Sequence, residues 1–379
     1  MRNLFIIAFV VFVSKANAQL SDPFDMIRNP INYDSIVHFI NDSSSYNSPR
    51  LEDAYLQSLG TLYSFIGNYN KAEELFIIRD TKKGYIPEHK EELQLKGFGV
   101  NQDTLVKLYK QYNVVMFNEA HHMPQHRAFL YSQLEVLKEL GFTQLALEAL
   151  NDEDTEISTR AYPVNNNPEL ITGVYISEPV YGNLLRHAIE LGFTLIPYET
   201  FKLRREKGQA KNIFSQYNKE QGKLVILAGY GHIEEKFPMM AYHLKKMLNE
   251  ELLSICQHTK FDIEPVFPNS DNKDFYLQKD PNECYDYCLY HKPHVSDFNI
   301  PYWYTWMNFK HVDFANLYDE AINGSFIVQL FNPNEVNGIP IYQYFSEEST
   351  EIKIAYPKSD TYKLKILSKE KTVEKLVNL

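Results

Sequence analysis

One acid and three imidazoles fall within eight residues of the run Asn118-Glu119-Ala120-His121-His122-Met123-Pro124-Gln125-His126-Arg127. A carboxylate beside an imidazole holds the ring in one tautomer and raises its basicity, so the histidine can draw a proton from water attacking a carbonyl. Several neutral imidazoles and carboxylates can instead ligate a divalent metal that activates the water. Other polar residues stand at comparable places. Glu148 follows Leu145-Ala146-Leu147, Glu199 follows Leu195-Ile196-Pro197-Tyr198, and Gly229-Tyr230-Gly231-His232 follows Leu224 to Ala228. The two glycines of that last block let backbone approach a ligand closely. Taken singly, each has a plainer reading: a helix-start charge for Glu148, a buried ion-pair partner for Glu199, a satisfied core histidine for His232. Together they mark one rim. No Gly-x-Ser-x-Gly elbow, no His-Glu-x-x-His and no phosphate loop is present.

A rim requires elements to hold it. Val114-Val115-Met116-Phe117 and Leu145-Ala146-Leu147 are short apolar runs, the pattern of strands buried on both faces. A helix is predicted between them, with Pro124 in its first turn, Leu130, Leu134, Leu137 and Leu140 as its stripe, and Gly141 as its stop. A helix over Tyr181–Leu191 leads into a strand at 194–198. The strand at 224–228 precedes a helix carrying Phe237, Met240, Ala241, Leu244, Met247 and Leu248. Repeated strand–helix units imply an α/β fold, a mostly parallel sheet flanked by helices. In such sheets ligands bind beyond the carboxyl ends of the strands, where all four polar blocks sit.

The 379 residues carry 38 Lys+Arg against 49 Asp+Glu. A formal charge of −11 argues against phosphate neutralisation and so against nucleic acid as a partner. Arg2, the apolar run Leu4–Val13 and Ala16-Asn17-Ala18 have the order of a signal peptide, residues 1–18. The expectation is export, to a periplasm or outside the cell, after cleavage near Ala18, with no membrane anchor in the mature chain. Loss of Arg2 and Lys15 would take the charge from −11 to −13. Residues 19–100 read as a helical N-terminal segment, in which Leu51–Phe76 resembles one tetratricopeptide-type hairpin capping the main domain. Residues 101–350 read as the α/β domain, with an inserted Pro-, Asn-, Tyr- and Trp-rich loop region at 266–312 and a late strand at 325–331. Residues 351–379 read as a C-terminal β-hairpin, formed by 352–356 and 362–366, and a tail. In an oxidising compartment Cys284 and Cys288 are the pair expected to bridge, leaving Cys256 free; a zinc set of Cys284, Cys288 and His291 is the weaker alternative.

Four blocks, in order, resemble the superfamily that joins erythromycin esterases, ChaN-type haem-binding lipoproteins and TraB/Tiki proteins. They are Glu119-Ala120-His121 with His126, Glu139–Ala149, Arg205–Asn212, and Ala228-Gly229-Tyr230-Gly231-His232. The resemblance spans roughly 110 to 250. It implies an α/β fold with its site at the strand ends. In the esterase branch it implies hydrolysis of an ester, lactone or amide, with His121 or His122 as base, Glu119 and Glu148 supporting it and His232 opposite. His126, Arg127, Glu199, Arg205 and Tyr230 would bind the substrate. The Tiki branch implies a metal-dependent peptidase, for which His121, His126, His232 and Glu148 are the candidate ligands. The ChaN branch implies haem held by His121, His126 or Tyr230 without catalysis. Asn118 stands where the family has glycine, and adjacent His121 and His122 satisfy the acid–base spacings of two branches at once. The expected partner is a small-molecule or peptide substrate, with haem or a divalent metal as the alternative cofactors. A third reading is an interaction module built on the helical hairpin and the tyrosine-rich loop.

Overall fold

The computed structural model describes residues 22–28, 32–87, 91–95, 98–99, 102–166, 170–257, 263–268, 274–292, 299–348 and 350–379. The expected leader, 1–18, lies outside the described residues. The central sheet contains β1 (Phe98–Gly99), β2 (Val114–Glu119), β3 (Phe142–Leu147), β4 (Thr194–Pro197), β5 (Lys223–Gly229), β6 (Leu253–Gln257), β7 (Phe275–Lys279) and β8 (Tyr287–His291). Their spatial order is β1-β7-β8-β6-β2-β5-β3-β4. From β8 to β4 every neighbouring pair is parallel; only β7 runs against its neighbours. The chain passes from β2 over to β3 and β4, then returns to place β5 between β2 and β3. The carboxyl ends of β2, β5, β3 and β4 therefore lie side by side.

Val114, Val115, Met116 and Phe117 are all fully buried because alternate side chains serve two different cores. Val115 and Phe117 pack with Leu130, Leu134 and Leu137 of α5 (Pro124–Glu139) and with Leu184 and Leu185 of α6 (Pro179–Glu190), alongside α4 (Gln102–Tyr109). Val114 and Met116 pack with Ile213 of α7 (Arg205–Gln216) and with Met240 and Leu244 of α8 (Met240–Leu248). Each such side chain removed from water contributes about 1.5–3 kcal/mol before entropy is charged against it. Pro124 opens α5 and Gly141, at φ +87°, follows its end; Leu140 is the half-buried cap residue rather than part of the stripe. Phe237 likewise lies outside α8 and is exposed.

Three helices, α1 (Tyr33–Asn41), α2 (Pro49–Phe65) and α3 (Tyr69–Lys82), precede the sheet. In the α2–α3 hairpin a Cβ at Gly60 would lie 2.7 Å from the Phe76 ring, so the close crossing requires glycine. The helical reading of 19–100 fails after Lys82, since 91–94 pairs in parallel with 263–266 and 98–99 edges the central sheet. The hairpin packs on C-terminal strands: Leu62 and Phe65 share a core with Ile327 and Phe345, and Gln343 Nε2 donates to the Phe65 carbonyl at 3.0 Å across 278 residues of sequence.

The region 266–312 is no insertion, because β7 and β8 extend the central sheet and bury Tyr276, Leu289 and Tyr290. Tyrosine is a good strand residue, and its company of Asn and Pro conceals this in sequence. Cys256, Cys284 and Cys288 are free thiols, so the expected Cys284–Cys288 bridge is not formed; Cys288 pairs in register with Cys256 instead. His291 Nε2 lies 3.1 Å from Gln257 Oε1, where a zinc set would need it on the two cysteines.

Six strands follow the central sheet in the chain: β9 (Lys310–Asp313), β10 (Phe326–Phe331), β11 (Tyr342–Ser346), β12 (Lys353–Tyr356), β13 (Thr361–Ser368) and β14 (Thr372–Asn378). A second, antiparallel sheet has the order β11-β10-β13-β14, so the late strand joins it and not the central sheet. The terminal hairpin is β13–β14, while 353–356 pairs with β9. The alternation in 361–368 buries Tyr362, Leu364 and Ile366 on one face; Leu364 and Ile366 pair across to Leu330 and Val328 of β10, and Tyr362 to Val377 of β14.

Candidate active site

The base of the site is dry and ionic. Glu119, the last residue of β2, accepts from Arg127 Nη2 at 2.7 Å on Oε2 and lies 2.7 Å from His121 Nδ1 on Oε1. Arg127, one turn into α5, is completely buried; its Nη1 donates to Glu178 Oε2 at 3.1 Å and its guanidinium covers the Tyr181 ring at 4.8 Å. Glu178 also caps α6, accepting from the Val180 and Tyr181 amides at 2.9 Å each. Burial would raise the Glu119 carboxyl, but the charges of Arg127 and His121 outweigh it and hold it down at about 2. For Glu178 burial prevails and moves the carboxyl upward, despite Arg127 and the two amides.

A carboxylate only accepts, so in the neutral ring the Glu119 contact puts the proton on Nδ1 and leaves Nε2 as the acceptor. The His121 ring is fixed by Tyr175, stacked at 3.8 Å, and by Tyr230, edge-on at 5.1 Å. Tyr230 holds a left-handed backbone (φ +44°), and its carbonyl accepts from Asn118 Nδ2 at 2.9 Å. That bond ties the end of β2 to the turn that follows β5.

Glu148 sits beyond β3. Its Oε2 accepts from the Gly229 amide at 2.5 Å, and its Oε1 accepts from Arg205 Nη2 at 2.6 Å and lies 3.4 Å from His232 Nε2. A methyl group built on Gly229 would stand 2.8 Å from His121 Cε1 and 3.1 Å from Glu148 Oε2. His121 and Glu148 therefore converge over that glycine, which needs to be glycine for space alone, since its φ is −71°.

His232 forms a second imidazole–carboxylate pair, with Nδ1 2.9 Å from Glu206 Oε2. Its Nε2 lies 3.1 Å from Arg205 Nη1. Neutral, that nitrogen accepts from Arg205; protonated, it faces Glu148. Burial opposes the charged ring, but the Glu206 bond and the Glu148 charge overcome it and raise His232 above its ordinary value. Glu206 also accepts from the Met240 amide at 2.9 Å and is lowered. Glu199 clamps Arg205 from the other side, with Nε at 3.0 Å and Nη2 in a second bond, and is itself lowered by that guanidinium and the Thr200 amide against its burial.

The structure thus brings Glu119, His121, Glu148, Glu199, Arg205, Tyr230 and His232 together, whereas Arg127, expected among the substrate-binding residues, is fully buried beneath them and engaged by Glu119 and Glu178. It sets two further candidates apart. His122 is buried and stacks face to face on Phe76 of α3 at 3.5 Å; burial, then the neighbouring His121, drive its pKa down to about 3. His126 is fully buried, accepts from the Ala120 amide on Nδ1 at 3.1 Å, and has His291 as ring neighbour at 5.4 Å. Its contacts lead to Ala120, Gln257 and His291. Among the described residues no group of three or more His, Cys, Asp or Glu is arranged to hold a metal ion. Sequence reasoning missed Glu206, Glu178 and Tyr175. Glu178-Pro179 was a legible helix start, and Glu206 lay in plain view beside Arg205.

No family model matches the chain, and no curated protein matches it. Among solved structures, ChaN of Campylobacter jejuni, described as binding haem cofacially, aligns with 53% of this chain and 100% of its own at 10% identity and a TM-score of 0.37. The type III effector HopBA1 aligns with 55% of this chain and 100% of its own (12% identity, TM-score 0.32). RRSP, a MARTX toxin effector domain from Vibrio vulnificus CMCP6, aligns with 61% and 50% (14% identity, TM-score 0.30). These are distant structural similarities, to a haem-binding protein and to effector domains. Neither a family model nor a curated relative supports the erythromycin esterase or TraB/Tiki resemblance.

Proposed function

We propose that this protein is an exported acid–base hydrolase of an ester, lactone or amide. The observation that carries the reading is the Glu119–His121 pair, 2.7 Å apart, whose second ring nitrogen points to the rim shared with Glu148. His121 Nε2 takes the proton from an attacking water, and Glu119, fixed by Arg127, stabilises the imidazolium that results. Arg205 offers its guanidinium to the developing oxyanion. His232, favoured in its charged form by Glu206 and Glu148, returns a proton to the leaving group. Export follows from the leader-like residues 1–18, and recovery of a secreted chain starting at Gln19 would agree with it.

The test is a panel of activated esters, lactones and peptide amides with the wild type, His121→Ala, Glu148→Gln and His122→Phe. Hydrolysis lost in the first two variants and kept in the third supports the proposal. Equal turnover in all four would overturn it, as would no turnover by wild type together with a Soret shift on haem titration.

A further inference from the structure

The loop joining Glu199 to Arg205 has the sequence Thr200-Phe201-Lys202-Leu203-Arg204. Phe201 is 89% exposed and Leu203 is 96% exposed, the two most exposed large apolar side chains described. Phe237, 51% exposed, lies on the neighbouring loop between His232 and α8. These loops adjoin, since Glu206 at the start of α7 bonds to the Met240 amide at the start of α8. Burial is favourable for such side chains, so their display beside the mouth of a polar site needs a reason.

Charge supplies one. Residues 201–211 contain Lys202, Arg204, Arg205, Lys207 and Lys211 against the single acid Glu206, in a chain whose net charge is −11. Arg205 and Glu206 are turned inward to Glu148, Glu199 and His232. Lys202, Arg204 and Lys207 are exposed. Alternating apolar and cationic side chains on a protruding tip match the boundary between headgroups and acyl chains, where aromatic and aliphatic groups enter and cations remain at the phosphates.

We infer that this rim docks on an anionic lipid surface, with Phe201, Leu203 and Phe237 entering the interface and Lys202, Arg204 and Lys207 meeting the headgroups. The contact is peripheral, as no described helix is long and apolar enough to cross a membrane. It delivers the Glu/His/Arg site to the membrane face and is independent of the chemistry proposed for that site.

Phe201→Trp in the full chain reports insertion directly, because the wild-type signal from Trp303 and Trp306 can be subtracted. Vesicles of phosphatidylcholine, and of phosphatidylcholine with an equal part of phosphatidylglycerol, each carrying brominated acyl chains, are titrated into it. The expected result is a blue-shifted, quenched emission from the introduced indole with the anionic vesicles alone. Adding Lys202→Glu and Arg204→Glu should weaken partitioning about tenfold or more. An emission unchanged by either vesicle, as a protein partner or a soluble ligand would leave it, overturns the inference. So does equal quenching by neutral vesicles, or partitioning indifferent to the charge reversal.

Discussion

Replacing Arg127 by methionine removes the guanidinium that bridges two buried carboxylates, Glu119 and Glu178, while filling most of the side-chain volume. Taking one partner from a buried ion pair costs about 3–5 kcal/mol, because the remaining charge is left without compensation. Here the guanidinium serves two acids. Glu119 keeps His121 and Glu178 keeps two amides, so a loss of about 4 kcal/mol in urea unfolding at pH 7 is expected. Glu178→Gln in the same background should restore at least about 1 kcal/mol by neutralising one stranded charge. The pH dependence has a definite sign. In the wild type Glu119 sits at about 2, below its ordinary 4.5, so its contribution is present above pH 4.5 and is lost as pH falls toward 2. In the variant burial moves both carboxyls up. Their protonated forms then favour the fold, and the deficit grows as pH rises through the raised values. Wild type and variant should therefore approach one another at pH 4. A loss under about 1 kcal/mol at pH 7, or an equal loss at both pH values, would refute the assignment of Arg127 as the counter-charge.

Gly229→Ala should lower turnover at least about tenfold and cost about 1–3 kcal/mol of stability, since the new methyl displaces His121 and Glu148 although the backbone itself suits alanine; equal kcat/KM would remove the convergence argument. Glu206→Gln should lower the His232 pKa, read by carbon-13 NMR of labelled histidine, because the carboxylate bond that does most to offset the burial of that ring is gone; an unchanged titration would mean that Glu148 alone sets it. His122→Phe should resist acid unfolding better than wild type. The native ring, held near 3, must charge on unfolding, which costs stability as pH falls from 6.5 toward 3. Matching acid midpoints would place the burial cost elsewhere.

The central strands and the polar ends that form the rim were legible because β2, β3 and β5 are apolar on both faces, and each ends abruptly in a charged or glycine residue. What remained hidden was decided by distant partners. Nothing in the pair His121-His122 says which ring meets the rim; Phe76, from a helix 46 positions earlier, stacks on one of them. The imidazole of His126 was drawn into the same cluster by its spacing, yet the turn that starts α5 aims it at Ala120 and His291. Strands β7 and β8 were lost in a composition of Tyr, Asn and Pro. The terminal hairpin slipped by one strand because 353–356 and 361–368 both read as strands, and the choice of neighbour belongs to β9 and β10.

The packing of the first helices on the last strands has a temporal side. Leu62 and Phe65 emerge from the ribosome well before Ile327 and Phe345, which complete their core. At ordinary synthesis rates of about 5–20 residues per second, the 278 residues separating Phe65 from Gln343 take roughly 15 to 60 s to make. During that interval the part of the hairpin core that Ile327 and Phe345 complete stays open, although Phe76 already has His122 to stack on. A core whose opening segment is finished only by its closing one stays incomplete until nearly the whole chain has been made.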